Sequence, residues 1–207
     1  MKFVNTNYFS EAAKYYLKHK VYTHALQGTL EFDSFWTEEV RRCQEGYTVG
    51  DRSITGDHYF YLNYSPIRRV IYDKNNKLTK AVSKGISLPD FWDGDYNFFW
   101  AKEIARHGIS EEDYTKLELN FKVRDLKGGK HLICGKSRRK GFSFKTGSIA
   151  TKQYLLERGS KCLIASFEEK YAKDTFSKAK EYTDHLNSIA LGSPFAKKKL
   201  INSVNDL

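Results

Sequence analysis

Lys136-Ser137-Arg138-Arg139-Lys140-Gly141-Phe142-Ser143 gathers cations, hydroxyls and a glycine into one short stretch, a composition suited to holding a phosphate chain. In the usual pattern, G-x-x-x-x-G-K-[ST], backbone N–H groups cradle the phosphates, the lysine reaches the β and γ phosphates, and the last hydroxyl ligates magnesium. Here Phe142 stands at the lysine position, and the span from Gly135 to Gly141 is one residue longer than the pattern. The cations are supplied from the entrance of the loop instead, by Lys136, Arg138, Arg139 and Lys140. Ser143 keeps the hydroxyl where a magnesium ligand belongs.

Such a loop works only if regular elements hold it. His131-Leu132-Ile133-Cys134 reads as a short apolar strand, Phe142 to Arg158 as a helix ended by Gly159, and Lys161-Cys162-Leu163-Ile164-Ala165 as a returning strand. This is a βαβ unit with the loop at the N-terminus of its helix, where free N–H groups and the helix dipole favour an anion. Glu168-Glu169 follow the second strand. They are either an acidic pair for magnesium and water or, as their place directly after the loop helix favours, the opening of the next helix. That helix carries Tyr171, Thr175, Phe176, Ala179, Tyr182, Leu186 and Ile189 at three-to-four spacing, a core stripe, and stops before Gly192-Ser193-Pro194.

At these residues the sequence resembles the large terminase subunits of tailed bacteriophages, the ATP-driven motors that package DNA into capsids. One branch of that family has a deviant phosphate loop reading roughly K-S-x-R-x-G-[YF]-S, matched by Lys136, Ser137, Arg139, Gly141, Phe142 and Ser143. The resemblance extends upstream to Gly56 through Ile67 and to Leu88-Pro89-Asp90-Phe91-Trp92-Asp93, so similar motifs run from about Gly50 to about Phe176. It implies that ATP and Mg2+ are the cofactors and that Lys136 replaces the missing lysine. With Arg139 it would neutralise the β and γ phosphates, the backbone from Gly135 through Ser143 would cradle them, and Ser143 would ligate magnesium. It also implies that the segment before the loop holds adenine, through Phe91 or Trp92, and that the partners are double-stranded DNA, a portal protein and a small terminase subunit. The intact subunit would be a homo-oligomer in the host cytoplasm.

A complete terminase large subunit joins an ATPase to a nuclease, more than 207 residues hold when one domain takes about 100 to 200. The expected fold is therefore α/β: residues 1–126 form a helical and β-hairpin region, and 127–207 an incomplete P-loop ATPase core without Walker B strand or nuclease domain. The chain is read as the N-terminal part of such a subunit. On its own it is expected to bind nucleotide weakly at best and not to hydrolyse it.

Charge follows the same division, since residues 1–126 are balanced and the whole formal excess of +10 lies between Lys127 and Leu207. A concentrated positive field suits ATP or DNA and makes DNA association salt-dependent. The plainer alternative is that Lys197-Lys198-Lys199 and the helix lysines form a solvated face. A rival reading of the whole chain is a non-enzymatic basic nucleic-acid-binding or assembly protein, with the loop as a basic turn. A small-molecule phosphotransferase is disfavoured by Phe142.

Upstream, Tyr8, Phe9, Ala12, Ala13, Tyr16 and Leu17 predict a first amphipathic helix, and Phe35 to Cys43 a second. His58 to Asn63 alternates like a strand, and Val70-Ile71-Tyr72 with Leu78 to Val82 read as a hairpin around Asp73-Lys74-Asn75-Asn76. Asp95 to His107 reads as a helix ended by Gly108. The rings of Phe91-Trp92 and Tyr96 through Trp100 suit either base stacking or, more simply, core. Cys43, Cys134 and Cys162 lack zinc or disulfide spacing, with the last two expected in buried strands, and free thiols suit a reducing compartment. No histidine has a visible catalytic partner in sequence. No apolar stretch is long enough to span a membrane.

Overall fold

The computed structural model describes residues 3–4, 10–49, 52–72, 81–136 and 141–196. It is an α/β structure with seven helices among the described residues and three two-stranded antiparallel pairs. In chain order the elements are β1 (Phe3–Val4), α1 (Glu11–His19), α2 (Leu30–Glu45), β2 (Tyr47–Val49), β3 (Arg52–Ile54) and α3 (Gly56–Tyr64). Then come β4 (Ile67–Tyr72), β5 (Ala81–Ser87), β6 (Phe91–Trp92), α4 (Asp93–His107), α5 (Glu111–Lys116), α6 (Phe142–Leu156) and α7 (Glu169–Ile189). β1 pairs with β6, β2 with β3 and β4 with β5.

The two N-terminal helices form where the apolar spacing placed them, although Tyr8 and Phe9 lie outside the described residues. Each begins at a hydroxyl that accepts from a backbone N–H three residues on, Ser10 from Ala13 and Thr29 from Phe32. A hairpin forms, Ile67 pairing with Ser87 and Val70 with Lys84; the expected loop of Asp73 to Asn76 and the first part of the expected second strand, Leu78 to Lys80, lie outside the described residues. α4 ends where Gly108 takes a φ of 78°, the left-handed conformation that glycine tolerates.

The segment His58–Asn63 is not a strand. It lies inside α3, which starts at Thr55, whose hydroxyl accepts from the His58 N–H at 3.2 Å, and which is buried on every side. A helix buried on every side has no solvent face to impose a 3.6-residue period, so its alternation of aromatic and polar residues imitates a strand. Around α3 are packed α1, α2, α4 and α6. Tyr59, Phe60, Tyr64, Trp36 and Phe195 fill one aromatic core that also takes in Leu155 and Leu186, so elements on both sides of residue 126 share it.

Two further expectations are corrected. Neither 131–134 nor 161–165 is in a strand; both segments lack regular structure, and Cys134 and Cys162 are exposed rather than buried. A parallel strand is stable only when neighbours satisfy its backbone, and among the described residues no strand lies beside either segment. At the start of α7, Tyr171 is more than half exposed, and the buried stripe begins only at Ala179.

α6 and α7 touch closely at Gly147, where an added Cβ would stand 2.9 Å from the Lys178 Cβ and 3.2 Å from the Ala179 nitrogen. Thr151 reinforces the contact by donating to the Ala179 carbonyl at 3.1 Å. Gly147→Val is expected to cost about 2–3 kcal/mol through overpacking. Gly147→Ala should cost less, because about 1 kcal/mol of helix propensity offsets the strain. Urea denaturation of the two variants checks the ranking.

Candidate functional site

The N-terminus of α6 differs from every other helix start among the described residues. α1, α2, α3 and α5 are capped by the hydroxyls of Ser10, Thr29, Thr55 and Ser110, while α4 and α7 carry Asp93, Asp95 and Glu169 in their first turns. α6 has neither a side-chain cap nor an acid in its first turn. Its N-cap is Gly141 at φ 64°, a left-handed conformation that turns the chain directly into the helix. The Phe144 and Lys145 N–H groups donate to the Gly141 carbonyl, which leaves those of Phe142 and Ser143 without an intrahelical acceptor. The Ser143 hydroxyl has no hydrogen-bond partner among the described residues. Lys136 is exposed, with its ammonium 5.7 Å from the centre of the Phe142 ring.

The Phe142 ring lies beneath the Lys136 ammonium and also packs edge-on against Phe98 of α4, at 5.1 Å between ring centres. Of the remaining loop residues, Ser137, Arg138, Arg139 and Lys140 lie outside the described residues, and Gly135 is exposed.

α6 is held in place by buried charge. Lys145, two residues past Ser143, is buried against Asp95 of α4. Two turns further on, Lys152 donates to Asp57 of α3 at 2.7 Å, and the other oxygen of Asp57 accepts from Lys102 of α4 at 2.5 Å. Arg106 donates to Glu157 at 3.1 Å, where the chain leaves α6. Burial pushes the Asp57 carboxyl up, but Lys152 and Lys102 outweigh it and hold it below its ordinary value. At Asp95 burial prevails over Lys145, and the carboxyl is raised. These residues carry no motif. Their trace in the sequence is two lysines seven apart on one face of an otherwise uncharged helix.

Beside α6 opens a cavity of about 700 Å³, lined by Ser143, Thr146, Gln153 and Lys102, by Leu132 and Cys134 on one side, and by residues 161–165. None of its described lining residues is acidic. Glu168 is the N-cap residue of α7 and Glu169 its first residue, paired with Lys173 at 2.6 Å, so they open that helix. Among the described residues no group of three or more His, Cys, Asp or Glu could hold a metal ion. A magnesium ion brought in on phosphate oxygens needs little from the protein, and one free hydroxyl at the helix start fits that demand.

Of the two adenine candidates, Phe91 is excluded. Its ring is wholly buried, stacked on His58 at 5.2 Å and covered by the Arg52 guanidinium at 5.6 Å. Trp92, directly before α4, is 43% exposed. No helix among the described residues is long and apolar enough to cross a membrane. No protein-family model, curated protein or solved structure matches the chain.

Proposed function

We propose that the start of α6 binds the phosphate chain of ATP and that the chain is the ATPase portion of a DNA-packaging motor of the large-terminase kind. The observation that carries this reading is a helix N-terminus left without cap or acid, anchored by buried ion pairs, and flanked by an exposed lysine and a free serine hydroxyl. Unpaired N–H groups and the helix dipole stabilise an anion there. Lys136 supplies the charge that Phe142 cannot, with Arg139 beside it in sequence; Ser143 offers an oxygen to magnesium, and Trp92 a surface for the base. Duplex DNA, a portal protein, a small terminase subunit, self-association and a host-cytoplasmic location belong to the same proposal through the resemblance of the loop.

None of the described residues lining the cavity is a carboxylate, and on this reading the chain is expected to bind ATP without hydrolysing it. Magnesium ATP at 100 times its Kd is expected to raise stability by about 2.7 kcal/mol, read as a rise in Tm. Lys136→Ala and Ser143→Ala should abolish the shift and leave the melting of the free protein unchanged. The rival, a basic nucleic-acid-binding or assembly protein, draws on the +10 excess beyond residue 126. It predicts no shift with ATP but tight, salt-sensitive binding to duplex DNA, and that pair of results would overturn the nucleotide reading. Sustained hydrolysis lost in Lys136→Ala would instead place a water-activating acid elsewhere in the chain.

A further inference from the structure

Three cations share two carboxylates beside the C-terminal half of α6. Lys102 and Lys152 both bond to Asp57, at 2.5 and 2.7 Å. Arg106 bonds to Glu157 at 3.1 Å, and Lys152 approaches the same carboxylate at 3.6 Å. Glu103, the neighbouring acid on α4, lies 3.9 Å from His107 instead. The group of five therefore holds one positive charge without a counterpart, and a largely buried charge left unmatched is costly until an opposite one reaches it. Of the five, Lys102 is the one that lines the cavity beside α6.

Its neighbours there are donors as well. An ammonium has three N–H donors, and Lys102 places one on Asp57. The Gln153 side-chain oxygen accepts from the Cys162 thiol at 2.8 Å, which leaves the amide NH2 group without a partner among the described residues. Burial and Glu157 push that thiol up while Lys102 and Arg106 pull it down, so Cys162 stands beside the same group of charges. Lys161, directly before it, lines the cavity with an exposed side chain and makes no ion pair among the described residues. With no acid among the described lining residues, these donors select an anion. Two ammonium groups match the nearly double charge of a phosphate better than the single charge of a carboxylate. Gln153 is ten residues along α6 from Ser143, about 15 Å at the helical rise, so this end of the cavity is distinct from the start of the helix.

We propose that the end of the cavity between Lys102, Gln153 and Lys161 is a second anion site, which takes a phosphate group. Lys102 keeps one donor on Asp57 and turns the others to the phosphate, so the bound anion supplies the negative charge that the buried group lacks. Inorganic phosphate and the phosphate ester of a small metabolite offer the same oxygens to these donors. The site stands without the nucleotide reading of α6.

Cys162, beside Gln153, and Cys134, two residues before Lys136, both line the cavity and are exposed. Alkylation by uncharged iodoacetamide, followed at each cysteine by peptide mass spectrometry, therefore reports which part of the cavity is covered. Inorganic phosphate at ten times its Kd is expected to slow alkylation of Cys162 about tenfold, because only about a tenth of the sites stay empty. Cys134 should react as before, and chloride at the same ionic strength should protect neither. Lys102→Met should abolish the protection in a folded protein, since Asp57 retains Lys152. Lys102→Arg and Ser143→Ala should both retain it. Ribose 5-phosphate separates the two sources: protection equal to that by phosphate marks a site for an ester, and protection by phosphate alone a site for the free ion. An unprotected Cys162, equal protection at both cysteines, protection matched by chloride, or protection that survives Lys102→Met would each overturn the proposal. Any of these beside an intact thermal shift with magnesium ATP would remove this site and leave the nucleotide reading standing.

Discussion

Asp57→Asn is expected to cost the fold about 3–5 kcal/mol at neutral pH, the loss typical when one member of a buried ion pair is removed. The carboxylate stands between two ammonium groups, Lys152 at 2.7 Å and Lys102 at 2.5 Å, and the side chains of Asp57 and Lys152 are 3% and 8% exposed. Lys102, at 19%, can bend toward water; Lys152 cannot, and in the variant its charge remains buried with only the more distant Glu157, at 3.6 Å. Adding Lys152→Met to Asp57→Asn should therefore recover part of the loss, a coupling that urea denaturation of the double-mutant cycle measures. A loss under about 1 kcal/mol would mean that the pair behaves as a solvated surface bridge.

The consequence for the site is the more informative half of this experiment. Asp57 lies on α3, far in sequence from the loop, yet it fixes α6, whose first turn presents the free N–H groups. Under conditions where the variant remains folded, the stabilisation by magnesium ATP should fall although no loop residue has changed. The same pair carries a pH signature. Because the folded-state carboxyl of Asp57 is held below the ordinary value of 3.8, its contribution is present above that value and is lost as pH falls through the lowered one.

His58→Phe is expected to remove most of the acid sensitivity of the fold below pH 6.5. The imidazole is wholly buried between Phe91 at 5.2 Å and Phe99 at 4.8 Å, and neither ring nitrogen has a hydrogen-bond partner among the described residues. Burial first, and the nearby Lys145 ammonium second, lower its pKa from 6.5 to about 3. The unfolded chain therefore takes up a proton below pH 6.5 that the folded chain refuses until about pH 3. Stability falls with pH across that window by about 1.4 kcal/mol per unit. His185, lowered to about 4 by burial, contributes in the same direction but is common to parent and variant. Glu39, raised by burial against its bonds from Tyr64 and Tyr59, contributes in the opposite direction and is also common to both. The difference between parent and His58→Phe isolates the one ring: it should widen by about 2–3 kcal/mol between pH 6.5 and 4.5. Parallel stability curves for the two proteins would show that His58 is protonated in the folded state.

Much of the helical architecture was legible before any coordinates. Periodic apolar residues located α1 and α2, and Gly108 marked the end of α4, because these signals act within a few residues of chain. α3 was not legible as a helix, since burial on all sides erased its period; the Thr55 cap and the acid at Asp57 were the local clues that it began there. The flanks of the loop failed for another reason. The sequences at 131–134 and 161–165 have strand composition, but a strand is a pairing and no neighbour is present among the described residues.

The sequence by itself determined which residues stand at the start of α6: a glycine before the helix, a serine in its first turn and lysine at position 136. These are properties of covalent order, and they hold whatever the rest of the chain does. Only the tertiary structure decided that Lys145 and Lys152 are spent on Asp95 and Asp57 rather than free for phosphate, that Phe91 is core, and that the Phe142 ring lies beneath Lys136. The physical reason is that a charge or a ring takes its role from what lies within a few ångströms of it, and residues as far apart as 57 and 152 meet only when the aromatic core around α3 brings three helices together.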